Sequence, residues 1–199
     1  STSRGLGDVY KRQVEEVDAG FDEHDIPYDV IWLDIEHTDG KRYMTWDSTK
    51  FPTPERMIND IAEKGRKMVV IIDPHVKKDD KYPIFKEAES KQYYVKKNDK
   101  TTDFDGWCWP GSSMYLDVTN PDVRSWWASK FALDSYKGST PDLYVWNDMN
   151  EPSVFNGPEI TMQKDLIHHG EVEHREVHNV FGMYYHCLLY TSDAADDTP

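Results

Sequence analysis

LYVWNDMNEPSVFNG, residues 143–157, changes character within a few positions. Leu143–Trp146 is apolar, β-branched and aromatic. Asn147, Asp148, Asn150 and Glu151 follow, and then Pro152. A short apolar run without polar alternation is how a strand buried on both faces of a parallel sheet reads. DVIWLD (29–34) and KMVVIID (67–73) read the same way, so the strands are expected over 29–34, 67–73 and 142–148, with Pro152 ending the last strand's register. Helical patterns separate them. Val14, Val17 and Phe21 share one predicted face. Thr53-Pro54-Glu55 predicts an N-cap with proline at the first helical position, Met57, Ile58, Ile61 and Ala62 continue the stripe, and Gly65 closes it. Asn120-Pro121-Asp122 opens a further helix with Val123, Trp127 and Phe131 on one side. Strand alternates with helix, which predicts an α/β fold.

Each apolar run closes on an acid: Asp34, Asp73 and Asp148. In parallel βα folds the C-terminal strand ends lie at one edge, where ligands bind. The three carboxylates are therefore expected to share one mouth; the alternative is that each acid only caps the next turn. No GxGxxG or GxxxxGK[ST] follows a strand, so no nucleotide cofactor is expected. The stretch from Asp73 to Asn120 is too long for a plain βα loop and carries Tyr93, Tyr94, Trp107 and Trp109, with GWCWPG as a rigid aromatic turn. Such a long aromatic insertion serves specificity or a satellite core, with different rings for each.

The bulk composition narrows the partners. A net charge of -14 over 199 residues argues against nucleic acid, which needs clustered Lys and Arg. No apolar run approaches the roughly 20 residues of a membrane span. Two cysteines, Cys108 and Cys187, define no disulfide framework. Twelve Tyr, seven Trp and seven Phe supply rings for a core and for sugar faces. Carboxylates accept hydrogen bonds from vicinal hydroxyls, rings cover the apolar face of a pyranose, and a negative pocket favours an oxocarbenium-like transition state. An acidic, aromatic mouth therefore suits a carbohydrate.

VWNDMNEPSVFNGPE resembles the nucleophile motif of glycoside hydrolase family 31, the α-glucosidase family. YDVIWLDIEHTDGKRYMTWD, VVIIDPH, DGWCWPGSSMYLDVTNP and EHREVHNVFG occur in the family's order and at its intervals, from about Val14 to His186. The resemblance implies a (β/α)₈ TIM barrel, of which this chain holds about strands two to four, and a retaining mechanism. It implies that Asp148 is the nucleophile and that Glu151, the motif's second acid, orients the strand-end loop with Asn147 and Asn150. Asp34 then grips hydroxyls of the terminal sugar with Ile35 beside it. Ile71, Trp109, Trp146 and Met149 form the pocket wall, and Asp73 supports the loop ends. The family's acid/base aspartate matches nothing here; Asp165 stands too close to Asp148. The chain alone is thus expected to be inactive, with sheet edges and barrel-facing apolar surface uncovered.

Within the family the similarity is strongest to enzymes that trim glucose from N-glycans. That implies an α-glucoside substrate, the endoplasmic reticulum lumen and a β subunit as partner. A non-catalytic sugar-binding relative and other α-glycoside specificities are the alternatives. The crowd of His168, His169, His174, His178 and His186 offers a metal site as a rival reading. EHREVH lacks the HExxH order, because Arg175 stands where Glu is required, and a structural role is expected, with no metal. The terminal stretches STSRGLGDVYKRQ and CLLYTSDAADDTP fit no neighbouring element and resemble translated adapter read-through. Residues 1–12 are expected to be a non-native leader, 13–186 the barrel fragment and 187–199 a non-native tail; native disordered tails are the alternative.

Overall fold

The computed structural model describes residues 8–196, with side-chain surroundings for 11–187. In chain order the elements are α1 (Asp8–Glu23), β1 (Val30–Leu33), α2 (Pro54–Ala62), β2 (Lys67–Ile71), β3 (His75–Lys77), α3 (Pro83–Lys91), β4 (Asp105–Cys108), β5 (Gly111–Tyr115), α4 (Pro121–Ala128), β6 (Leu143–Trp146) and α5 (His174–Asp196). They form two compact units, one up to Ile72 with Leu133–Trp146, the other Asp73–Ala132 with the residues from Asn147 onward.

The first unit holds a parallel sheet in the order β1-β2-β6. Trp32 pairs with Val69 and Val69 with Tyr144, while Ile71 pairs with Trp146. The α/β expectation holds, and the described strands do not close into a barrel. Ile31, Leu33, Met68 and Leu143 pack against Met57, Ile58 and Ile61 of α2 and Val14 of α1. The capping expectation for α2 holds in part: Pro54 takes the first turn, and Gly65 turns the chain at φ +77°, but the Thr53 side chain makes no capping bond. The predicted face of α1 is corrected at Val17, which is exposed, while Asp18 is buried. Burial alone would raise the Asp18 carboxyl, but Lys64, Tyr28 and Arg66 outweigh it and hold it below its ordinary value. A carboxylate matched by two cations and a phenol can occupy a position that periodicity assigns to an apolar residue.

The strands are shorter than the apolar runs. Each stops before its acid, and β6 stops at Trp146, so Pro152 does not end its register. The reason is pairing: the ladder's last bond at that edge is from the Ile72 amide to the Trp146 carbonyl, and polar residues beyond it leave the sheet. The face away from the helices stays open. Val30, Trp32, Tyr144 and Trp146 are 42–51% exposed, as expected for apolar surface without its covering layer.

The long aromatic insertion falls in the second unit and is a folded subdomain. β3, β5 and β4 form an antiparallel sheet in that order. Val95, Phe104, Tyr115, Val154, Met162 and Leu166 make its core. GWCWPG is the hairpin between β4 and β5, closed by Gly111 at φ +97°, where a side chain would be strained. The rings divide between core and surface: Tyr94 is buried and its hydroxyl donates to the Phe85 carbonyl at 3.0 Å, whereas Trp107 and Trp109 are exposed. Asn120 caps α4 by accepting from the Asp122 amide at 2.9 Å.

Helices enter both terminal stretches, against the expectation that neither fits a neighbouring element: α1 takes in Asp8–Gln13 and α5 runs through Cys187 to Asp196. Residues 1–7 and 197–199 of those stretches lie outside the described residues. Met68→Ala, at a fully buried position, is expected to lower unfolding free energy by about 2–5 kcal/mol. Trp32→Ser on the open face should cost under about 1 kcal/mol and reduce self-association. Urea titration and sedimentation check both; equal costs for the two variants would contradict this division of the sheet faces.

Candidate active site

In the first unit, Asp34 stands directly after β1 at the sheet edge where β2 and β6 also end, on Ile71 and Trp146. Its Oδ1 accepts from the Ile35 amide at 2.7 Å, so this acid does cap the following turn. Its carbonyl accepts from the His37 amide at 3.1 Å and lies 2.7 Å from His37 Nδ1. Burial pushes His37 down to about 4, opposed by the Asp34 carbonyl and charge, so the ring is neutral and holds the Asp34 backbone as a donor. Ile35 and Ile71 are buried. Trp146 is half exposed, edge-on to Trp32 at 5.2 Å. The structure thus groups Asp34, Ile71 and Trp146 at one edge of one sheet, the edge that binds ligands in parallel folds.

The second unit carries Asp148, Met149 and Glu151 in a single turn. Asp148 is half-buried. Met149 has φ +59°, a left-handed conformation that costs a non-glycine residue about 1–2 kcal/mol and tends to occur at functional sites. The turn holds it there: the Ser153 amide donates to the Met149 carbonyl at 2.9 Å, and Asn150 Nδ2 donates to the Asn147 carbonyl at 3.2 Å. Asn147 is 5% exposed, and its Oδ1 has no hydrogen-bond partner among the described residues. Glu151 is exposed and accepts from the Ser153 hydroxyl at 2.5 Å, while the Tyr115 hydroxyl donates to the Ser153 carbonyl at 2.7 Å. Glu151–Pro152 is a cis peptide. The chain leaving the turn is stitched to the aromatic hairpin: the Phe155 amide donates to the Trp107 carbonyl at 2.7 Å and the Trp107 amide to Asn156 Oδ1 at 2.9 Å. Trp109 stands edge-on to Phe155 at 4.9 Å. The hairpin and the acid-bearing turn are one construction.

Three buried groups complete this unit. Asp73 is wholly buried, 3.6 Å from His75 Nε2. Burial pushes His75 down to about 3, so the imidazole beside Asp73 is neutral. Burial pushes the Cys108 thiol up to about 12, so it is no nucleophile at neutral pH. The histidine crowd forms a relay. Asp117 Oδ1 meets His168 Nδ1, His168 Nε2 meets His174 Nδ1, and His174 Nε2 meets His178 Nδ1, each at 2.8 Å. Those ring nitrogens satisfy one another along a line. Among the described residues no group of three His, Cys, Asp or Glu is arranged to hold a metal. Sequence reasoning missed Asp117 as the end of this line; only the four-residue step from His174 to His178 was visible.

A profile described as the glycosyl hydrolases family 31 TIM-barrel domain matches residues 4–198. The chain belongs to that family. It is 66% identical over 173 residues to neutral alpha-glucosidase AB of Dictyostelium discoideum, covering 87% of this chain and 18% of the relative. The fold matches the crystal structure of glucosidase II alpha subunit with alpha3-Glc2 bound, at TM-score 0.89 and 48% identity, over 94% of this chain and 20% of that one. With the same figures it matches an ER glucosidase II heterodimeric complex of the catalytic subunit and the binding domain of the regulatory subunit. The chain therefore spans about a fifth of the length of the relatives it matches. No helix among the described residues is long and apolar enough to cross a membrane.

The buried imidazoles set a pH dependence. His37, His75 and His174 lie in the folded chain at about 4, 3 and 3, each lowered chiefly by burial. A histidine lowered on folding binds its proton in the unfolded state first. Stability is therefore complete above the unfolded value near 6.5 and falls as pH drops from there toward 4. Each group contributes up to about 1.4 kcal/mol per pH unit. Urea unfolding at pH 7, 6 and 5 should show the decline; constant stability over that range would refute the neutral assignment.

Proposed function

We propose that this chain is the nucleophile-bearing part, about strands two to four, of a (β/α)₈ barrel in a retaining α-glucosidase. Asp148 carries the chemistry. Its ionised carboxylate attacks the anomeric carbon of a terminal α-linked glucose and displaces the leaving oxygen, which takes a proton from a second carboxylic acid. Water then hydrolyses the glycosyl-aspartate, giving its proton to that same group. The observation that carries the reading is the Asn147–Ser153 turn in a chain of this family: an acid placed just past β6 and held beside a left-handed residue.

Retaining chemistry needs two carboxyl groups about 5–5.5 Å apart. Glu151 is turned to the Ser153 hydroxyl, which suits a support for the turn rather than the proton donor. The acid/base then belongs to the part of the barrel outside this segment. Asp34 serves the sugar hydroxyls through Oδ2, since Oδ1 already accepts from the backbone. Ile35, Ile71, Trp109, Trp146 and Met149 form the wall that receives the glucose. The likeness to glucosidase II supports trimming of N-glycan glucose in the endoplasmic reticulum lumen, with a glucosidase II beta subunit as partner.

The test uses the full-length enzyme and an aryl α-glucoside. Asp148→Asn should abolish turnover, by about 10⁴-fold or more, with the urea midpoint nearly unchanged. An activated fluorinated α-glucoside should label Asp148 covalently. Retained turnover, or label on another acid, would place the nucleophile elsewhere. The 199-residue chain alone should show no turnover.

A further inference from the structure

We infer that Gly182 and His186 of α5 are positioning residues for the Asp148 carboxylate, an inference that rests on the nucleophile reading of Asp148. His174, His178, Gly182 and His186 recur every four residues and form one slowly turning stripe on the helix. The near end of the stripe is anchored by the relay through His168 to Asp117. Phe181 and Tyr185 beside it are fully buried, and Arg124 of α4 lies 5.6 Å from the centre of the Tyr184 ring. These contacts fix α5 in the second unit.

The far end of the stripe meets the acid-bearing turn. A Cβ built on Gly182 would stand 2.6 Å from the Asn150 carbonyl oxygen, closer than real side chains approach, and a tight 3.2 Å from its Oδ1. Glycine there lets the helix backbone lie directly against the turn. His186 Nε2 lies 2.7 Å from Asn150 Nδ2. An amide nitrogen only donates, so Nε2 accepts and the ring carries its proton on Nδ1. The second Nδ2 hydrogen goes to the Asn147 carbonyl. Asn150 thus ties the backbone before Asp148 to the helix behind it. Met149, the left-handed residue, lies between those ties. Such a conformation persists only where its surroundings over-determine it. The contacts with α5 supply that constraint and thereby set the direction of the neighbouring Asp148.

A helix glycine with a purely structural role predicts a lower midpoint on substitution by alanine with kcat unchanged, because the added Cβ meets only packing. The test measures kcat, KM and thermal midpoint in the full-length enzyme for Gly182→Ala, His186→Ala, His186→Gln and Asp148→Asn. Gly182→Ala should lower kcat about 10–100-fold with KM within about threefold, and should lower the midpoint as the turn backbone gives way to the added Cβ. His186→Ala should lower kcat about tenfold, and His186→Gln, whose amide oxygen can accept from Asn150, should restore most of it. If Gly182→Ala does not fold, the His186 pair decides. Values of kcat within twofold of the parent for Gly182→Ala and His186→Ala, beside an inactive Asp148→Asn, would overturn this inference and leave the nucleophile reading standing. An active Asp148→Asn would remove both.

Discussion

The parallel pairing of β2 with a strand on each side determines where the polar groups of the first unit can stand. A strand bonded on both flanks has no backbone capacity left for water or side chains. Past Lys67, which opens the strand, its paired residues are apolar, and Met68 and Val70 are fully buried. Parallel direction brings the ends of β1, β2 and β6 to one edge, so Asp34 emerges where Ile71 and Trp146 stop. The place of this edge follows from the hydrogen-bond ladder: polar residues begin where pairing ends.

Satisfaction of buried polar groups governs the rest. Asp18 is inside because Lys64, Arg66 and Tyr28 neutralise it. Asp117 is inside because His168, the Thr119 hydroxyl and the His169 amide surround it. Burial raises its carboxyl, and those bonds together bring it below its ordinary value. His174 follows the opposite rule, since burial drives it neutral and its two nitrogens join neighbours in a line. The same histidines that read as a possible metal site therefore work as a strut, and the strut holds α5, the helix that backs the turn carrying Asp148.

That turn concentrates the costs that functional sites tolerate. Met149 is left-handed, and Asn147 buries an acceptor that no described group satisfies. Neither feature favours folding, and an unmet buried acceptor costs about 1–3 kcal/mol. The aromatic hairpin and Tyr115 brace the turn through backbone bonds, which do not depend on a particular side chain at Phe155 or Ser153. On the proposed nucleophile reading of Asp148, these neighbours supply the rigidity that its carboxylate needs.

How much of this was written in the chain divides by range. The three apolar runs, the Asn120 cap, the glycine at the end of α2 and the order of strand and helix depend on residues within one or two turns of each other, so the sequence by itself determined the α/β class. The residues around Asp148 also carried the family and the candidate nucleophile. The tertiary structure alone decided that Asp18 and not Val17 faces inward, that the insertion shares its core with Val154, Met162 and Leu166, and that Asp117 terminates a histidine line. It alone brought Gly182 and His186 against Asn150, 36 residues of chain away in the case of His186. Those outcomes depend on partners that meet only when the chain closes on itself, and no local periodicity encodes which cation, carbonyl or helix backbone will arrive at a given side chain.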